Sequence, residues 1–400
     1  MKKLKLWMLA AILSFCGFTF LTSCSNDDDE VIETQEDEID AQLRQMTLRE
    51  KVGQMFYVRP ECLDTTIHFN QSGGIDASVV SLADIKLQAV NATMRAVNQD
   101  YPVGGIILYA HNIEDEAQLE EFIPQIRSLK GSPLLCIDEE GGRVARIGHN
   151  SNFNVKTYES MGSIGATGNP ANAYECGNTI GTYLKRYGFD IDFAPVADVN
   201  TNPDNIVIGA RAFSDDPAVA ASMVTNYLQG LKDAGITGCM KHFPGHGDTK
   251  ADTHFGYAST PKTWSQMLDC EMITFKAGIK WGCQLIMTAH IAAPNVIGSD
   301  IPSTMSSVIL KDKLRKELGY QNIIITDAME MGAITQQYGN AEAAVGCILA
   351  GVDIVLGPQN FVEAFDAVVA AVRKGTLTEE RINQSVRRIL KLKNSITVAN

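Results

Sequence analysis

The sequence predicts an α/β protein built as a single (β/α)8 barrel, the TIM-barrel architecture. Three observations lead there. Eight short apolar or β-branched runs recur through the body of the chain, amphipathic stretches with helical spacing separate them, and ionisable residues gather just after the runs end.

The runs fall at 53–58, 104–108, 133–137, 190–196, 235–240, 284–287, 322–325 and 352–356. Each is close to continuously apolar, as strands buried on both faces of a parallel sheet must be. Helical spacing appears at 171–187, 217–234, 261–280 and 306–318, and a last helical segment covers 378–393. Eight such units favour a closed barrel over an open doubly wound sheet, the competing architecture. Residues 60–98 exceed a simple connection. Within them 65–76 reads as a polar loop and 80–98 as a helix, forming either a lid or a further wall of the site.

The N-terminal segment reads differently. Lys2, Lys3 and Lys5 precede an apolar run at 6–21 that is too short for a stable membrane span, so 1–23 is expected to be an export signal. The run ends in Leu21-Thr22-Ser23-Cys24, which resembles the lipobox of bacterial lipoproteins. That resemblance implies lipidation at Cys24 and anchoring to a membrane, with the protein at the outer membrane, the cell surface or the periplasm. Nine acids and no base follow across 27–40, and 24–40 reads as a flexible, solvated tether. Residues 41–400 form the expected catalytic domain.

Setting aside those nine acids and the three signal lysines takes the net charge from −13 to −7. The body is mildly acidic, with no basic run, and nucleic acid is excluded as a partner class. Beyond Cys16 and Cys24 there are seven cysteines with wide, irregular spacing and no CxxC, which speaks against a disulfide framework or a zinc site. Cys136 and Cys239 lie within strand runs, as buried thiols do. The spaced glycines at 162–177 follow no strong strand, so a phosphate loop is not expected there.

The chemistry lies at the strand ends. Asp138, Asp198, Arg211, Lys241, His242, His290 and Asp327 each follow an apolar run, and parallel strands of a barrel bring all such ends to one face. The densest segment runs from Lys241 to His254. Its three histidines and two aspartates raise the question of a metal, but Pro244-Gly245 breaks the helix that an i, i+4 pair of zinc ligands needs, and no metal or other cofactor is expected.

The pattern Lys-His-Phe-Pro-Gly-His-Gly-Asp-Thr-x-x-Asp-x-His at 241–254 resembles the glycoside hydrolase family 3 β-N-acetylglucosaminidases. Four further stretches match in the family's order: Ile-Asp-Glu-Glu-Gly-Gly-Arg-Val-Ala-Arg at 137–146, Phe-Ala-Pro-Val-Ala-Asp at 193–198, Gly-Ala-Arg-Ala-Phe at 209–213, and Ile-Thr-Asp-Ala-Met-Glu-Met at 325–331. The resemblance implies a retaining hydrolase of glycans carrying terminal β-linked N-acetylglucosamine, with Asp327 as nucleophile. His254, on a mobile loop, would be the acid/base and Asp252 its partner. Asp138, Arg146, Arg211, Lys241 and His242 would bind the sugar. Glu139 and Glu140 would support their loop, and Asp198 and His290 would stand behind the reacting groups. Ala328 departs from the acidic residue that many members carry after the nucleophile.

Two other functions remain open. A β-glucosidase of the same family would take its acid/base from a second domain, for which a chain closing on a last barrel helix leaves no room. A lipid-anchored glycan-binding protein without catalysis would not need Asp327, Asp252 and His254 together. The acceptor, water or phosphate, and the natural glycan are also left open.

Overall fold

The computed structural model describes residues 27–67 and 87–398. The expected signal, Cys24 and most of the expected polar loop at 65–76 lie outside the described residues. Eight parallel strands form one sheet in the order β7-β6-β5-β4-β3-β2-β1-β8. They are β1 (Phe56–Val58), β2 (Gly105–Ile107), β3 (Leu134–Ile137), β4 (Ile191–Asp192), β5 (Thr237–Phe243), β6 (Leu285–Thr288), β7 (Ile323–Thr326) and β8 (Val355–Leu356). β1 pairs with both β2 and β8, and a parallel bridge between Ile325 and Ile354 joins β7 to β8, so the sheet closes. The (β/α)8 barrel read from the sequence is the fold.

The helices start where local chemistry dictates. Asn169 and Asp216 cap the helices Pro170–Arg186 and Pro217–Asp233, each with proline in the first turn, where a missing N–H is no loss. These two helices pack closely because Gly177 and Gly230 carry no side chain. A Cβ on Gly177 would strike the Tyr227 carbonyl, and one on Gly230 would strike that of Tyr174. Of the spaced glycines at 162–177, Gly177 serves this helix contact, while Gly165 lies against the Phe213 carbonyl.

Three expectations need correction. The acidic stretch read as a tether is helical from Asp27 to Gln45. Ile39 and Leu43, four residues apart on that helix, are buried in the main core, and Asp40 pairs with Arg387 on the last helix at 2.7 Å. Of the helix expected at 80–98, residues 80–86 lie outside the described residues, 87–91 are not helical, and the helix runs from Ala92 to Asp100, started by Asn91, whose side chain accepts from Met94 N–H. The segment at 261–280 divides into Trp264–Leu268 and Glu271–Trp281, the first opened by a Thr263–Gln266 capping box.

The two ends of the barrel carry different chemistry. Beside the N-terminal end of β8, buried Asp353 accepts from Arg315, Arg388 and Ser385 and from the Ile324 N–H of the neighbouring strand. That knot joins the last helix to the barrel floor. The cysteines at 62, 136, 176, 239, 283 and 347 are buried free thiols, and Cys270 is partly exposed.

Candidate active site

At the C-terminal strand ends lies a cleft of about 560 Å³. Asp138, Arg146, Arg211, Lys241, His242, Asp252, His254 and Asp327 all line it, so the structure gathers every residue singled out from the sequence for catalysis or sugar contact. Glu140, Arg59, Tyr109, Arg143, Phe255 and Glu330 complete much of the wall.

Lys241, near the end of β5, is the centre of the charged half. Its Nζ lies 2.9 Å from Asp138 Oδ1 and 2.7 Å from Glu140 Oε1, and the side chain is buried. Burial alone would lower its pKa, but the two carboxylates reverse the effect and raise it, so the ammonium stays charged. Asp138, one residue past β3, also accepts from Arg146 at 3.2 Å. Burial opposes its ionisation, and Lys241 and Arg146 overcome that, holding its carboxyl below the ordinary range.

The sequence reading assigned both Glu139 and Glu140 to loop support, and the structure separates them. Glu139 accepts from the N–H groups of Arg146, Ile147 and Gly148 and from the Tyr183 hydroxyl, so it does brace the loop. Glu140 instead faces the cleft, where Arg211 grips it through two bonds of 2.9 and 2.7 Å. Arg211 is thus engaged with Glu140 and the Val207 carbonyl, at the cleft wall. Such a bidentate pair fixes both planes.

His242 is oriented from behind. Its Nδ1 lies 2.7 Å from Asp198 Oδ2, while Asp198 Oδ1 accepts from the backbone N–H groups of His242 and His246. His246 sits between Thr249 and Thr253, and burial, with His242 adding, takes its pKa down to about 4. It is neutral near pH 7. Among the described residues no cluster of three or more His, Cys, Asp or Glu has the geometry to hold a metal ion.

Asp327 follows β7 directly, and its Oδ1 accepts from Ala328 N–H at 2.8 Å. Burial would raise its pKa; His242, His290 and His254, with that N–H, prevail and hold it at about 2. A carboxylate ionised throughout the working pH range is what a nucleophile needs. His290, buried below it, donates from Nε2 to the Ala328 carbonyl at 3.0 Å and shapes the turn that follows Asp327. Asp252 lies on the loop after β5, and its Oδ1 is 2.7 Å from His254 Nδ1 and 2.9 Å from His254 N. Burial works against its ionisation, but the two bonds to His254 lower its pKa. The imidazole keeps Nε2 for other partners and is 59% exposed on its side chain.

Arg59 and Tyr109 follow β1 and β2 as Asp138 follows β3, and the strand-end rule could have found them. Glu330 stands inside the quoted 325–331 stretch but carries no signal of its own. Its Oε2 lies 3.0 Å from Arg59 Nη2, an ion pair without hydrogen-bond geometry. Burial, with Glu61 adding, outweighs Arg59 and pushes its carboxyl up to about 7.

A family model described as "Glycosyl hydrolase family 3 N terminal domain" matches residues 47–392. Beta-hexosaminidase A of Pseudoalteromonas piscicida is 33% identical over 329 residues, covering 74% of this chain and 54% of that protein. The chain thus spans about half the length of that relative. A beta-hexosaminidase of Xanthomonas campestris pv. campestris (strain B100) is 34% identical over 271 residues, or 66% of this chain and 81% of the relative. Among solved structures, a glycoside hydrolase family 3 beta-N-acetylglucosaminidase from Paenibacillus sp. str. FPU-7 superposes with a TM-score of 0.76 at 32% identity, over 89% of this chain and 64% of that one.

The raised Glu330 pKa makes a stability prediction. The folded state holds this proton up to about pH 7, while an unfolded glutamate releases it near 4.5. Its contribution is therefore complete below pH 4.5 and is lost as pH rises through 7. Glu330→Gln should flatten the fall in unfolding free energy across that window by about 1–3 kcal/mol. Urea unfolding of both proteins at each end of the window measures it, and equal slopes would show that Glu330 ionises without cost.

Proposed function

The chain belongs to glycosyl hydrolase family 3, and from that premise we propose that it is a retaining, exo-acting β-N-acetylglucosaminidase. The observation that carries the reading is the presence, in one cleft, of an ionised aspartate and an Asp–His pair on a separate loop. The beta-hexosaminidase names of the relatives support N-acetylhexosamine as the sugar.

In the first step Asp327 attacks the anomeric carbon. The bond from that carbon to the glycosidic oxygen breaks, and the oxygen takes a proton from His254 Nε2. Asp252 accepts from Nδ1–H, which orients the ring and leaves Nε2 to face the departing oxygen. In the second step neutral His254 takes a proton from water, whose oxygen forms the new bond as Asp327 departs. Net configuration is retained. Asp138, with Arg146, Lys241 and His242 beside it, offers charged hydrogen-bonding groups for sugar hydroxyls. Arg211 acts at one remove, by fixing Glu140.

If His254 is the acid, His254→Ala should be harmful in proportion to how poor the leaving group is. General acid catalysis contributes about 10²- to 10⁴-fold; a nitrophenolate needs little of it and an alkoxide nearly all. Values of kcat/KM across leaving groups of graded acidity decide the matter. A steeper dependence in the variant is expected, and parallel lines would reject the assignment.

The proposed setting is a membrane surface, with Cys24 as the lipidated residue. Cys24→Ala should release the protein from the membrane fraction or leave the signal uncleaved. Unchanged fractionation and processing would remove the anchor from the account.

A further inference from the structure

A folded chain ordinarily shelters its large apolar side chains, and a bare one beside a polar cleft calls for an explanation. Among the described residues, the exposed large hydrophobics are Phe255 at 79%, Ile206 at 73%, Tyr257 at 46% and Leu349 at 40%. Two of them border the cleft. Phe255 lines it directly, next in sequence to His254. Ile206 precedes Val207, a wall residue, and its carbonyl accepts from Arg143, another.

The exposed ring stands on backbone that is firmly held. Three successive carbonyls of the loop are tied to the segment that follows the Asp327 turn. Ala333 N donates to Thr253 O at 3.0 Å, Gly332 N to His254 O at 3.1 Å, and Gln336 Nε2 to Phe255 O at 2.9 Å. Gly332 permits the approach, since a Cβ there would lie 2.8 Å from the His254 carbonyl oxygen. Phe255 is therefore presented to the cleft mouth by a pinned strip of chain.

Its place relative to the chemistry identifies what it meets. His254 spends Nδ1 on Asp252, so the departing oxygen receives its proton at Nε2. Phe255 lines the same cleft as His254, where its exposed ring is available to a group bonded to that oxygen. A pyranose offers an apolar face of C–H groups ringed by hydroxyls, which an aromatic ring in water matches.

We propose that Phe255 is the platform for a sugar on the leaving-group side, with Ile206 as a flanking apolar contact. The enzyme is then built for N-acetylglucosamine attached to another sugar, in preference to small alkyl glycosides. This rests on the assignment of His254 as the acid.

The test compares a β-1,4-linked N-acetylglucosamine disaccharide with methyl β-N-acetylglucosaminide. Both leaving groups are alkoxides, so both demand similar help from His254, but only one presents a ring to Phe255. In Phe255→Ala, the loss of kcat/KM on the disaccharide should exceed that on the methyl glycoside by about tenfold or more, the scale of a lost aromatic anchor. Phe255→Trp should restore the difference. Equal losses on the two substrates, or no loss on either, would overturn the platform. A folded wild type that hydrolyses neither substrate would take down the underlying glycosidase reading, a failure visible before any variant is made.

Discussion

Lys241 carries its ammonium, almost fully buried, into the barrel mouth, and Asp138 and Glu140 share it. Two carboxylates so near each other repel, and each would be costly to bury alone. The shared cation, with Arg146 on one acid and Arg211 on the other, makes the group stable as a set. The lysine reaches that point because β5 extends to Phe243, and its carbonyl accepts from Ala197 N–H beyond β4. The charged side of the cleft thus depends on an interaction between strands, in which each of these charges has a partner.

The opposite half of the cleft follows another logic. Around Asp327 the stabilising groups are imidazoles and a backbone N–H, while the acid/base candidate stands on an exposed loop. One wall is largely buried and held by ion pairs, and the other carries the exposed His254 loop. Ties from Gly332, Ala333 and Gln336 to residues 253–255 hold the proposed nucleophile and acid/base in a common frame, since those residues follow Asp327 on the same stretch of chain. Hydrolysis by paired groups requires this fixed relation.

Much of this was legible in the sequence because parallel strands buried on both faces leave a strong apolar signal. All eight runs became strands. Their bounds moved: 190–196 is a strand only at Ile191–Asp192, with Val196 bridging Lys241 further on, and 235–240 runs on to Phe243. The convergence of Asp138, Lys241, His242 and Asp327 also followed from topology alone. The pairing of Glu140 with Arg211, 71 residues apart, did not, because neither side chain announces its partner. Nor did the acid-rich helix from Asp27, where charge suggested solvation and only Ile39 and Leu43 told of a packed face. Glu330 and Phe255 were silent for a related reason. The burial of one and the exposure of the other exist only in the folded chain.

The account centres on Asp327 as the nucleophile that forms the covalent glycosyl-enzyme. The direct measurement treats the purified protein with a fluorinated N-acetylglucosaminide inactivator, then determines the intact mass and maps the modified peptide. The predicted result is a gain of one glycosyl unit, located on Asp327 and absent from Asp327→Asn. A label on another residue, or full turnover by Asp327→Asn, would contradict the mechanism at its foundation.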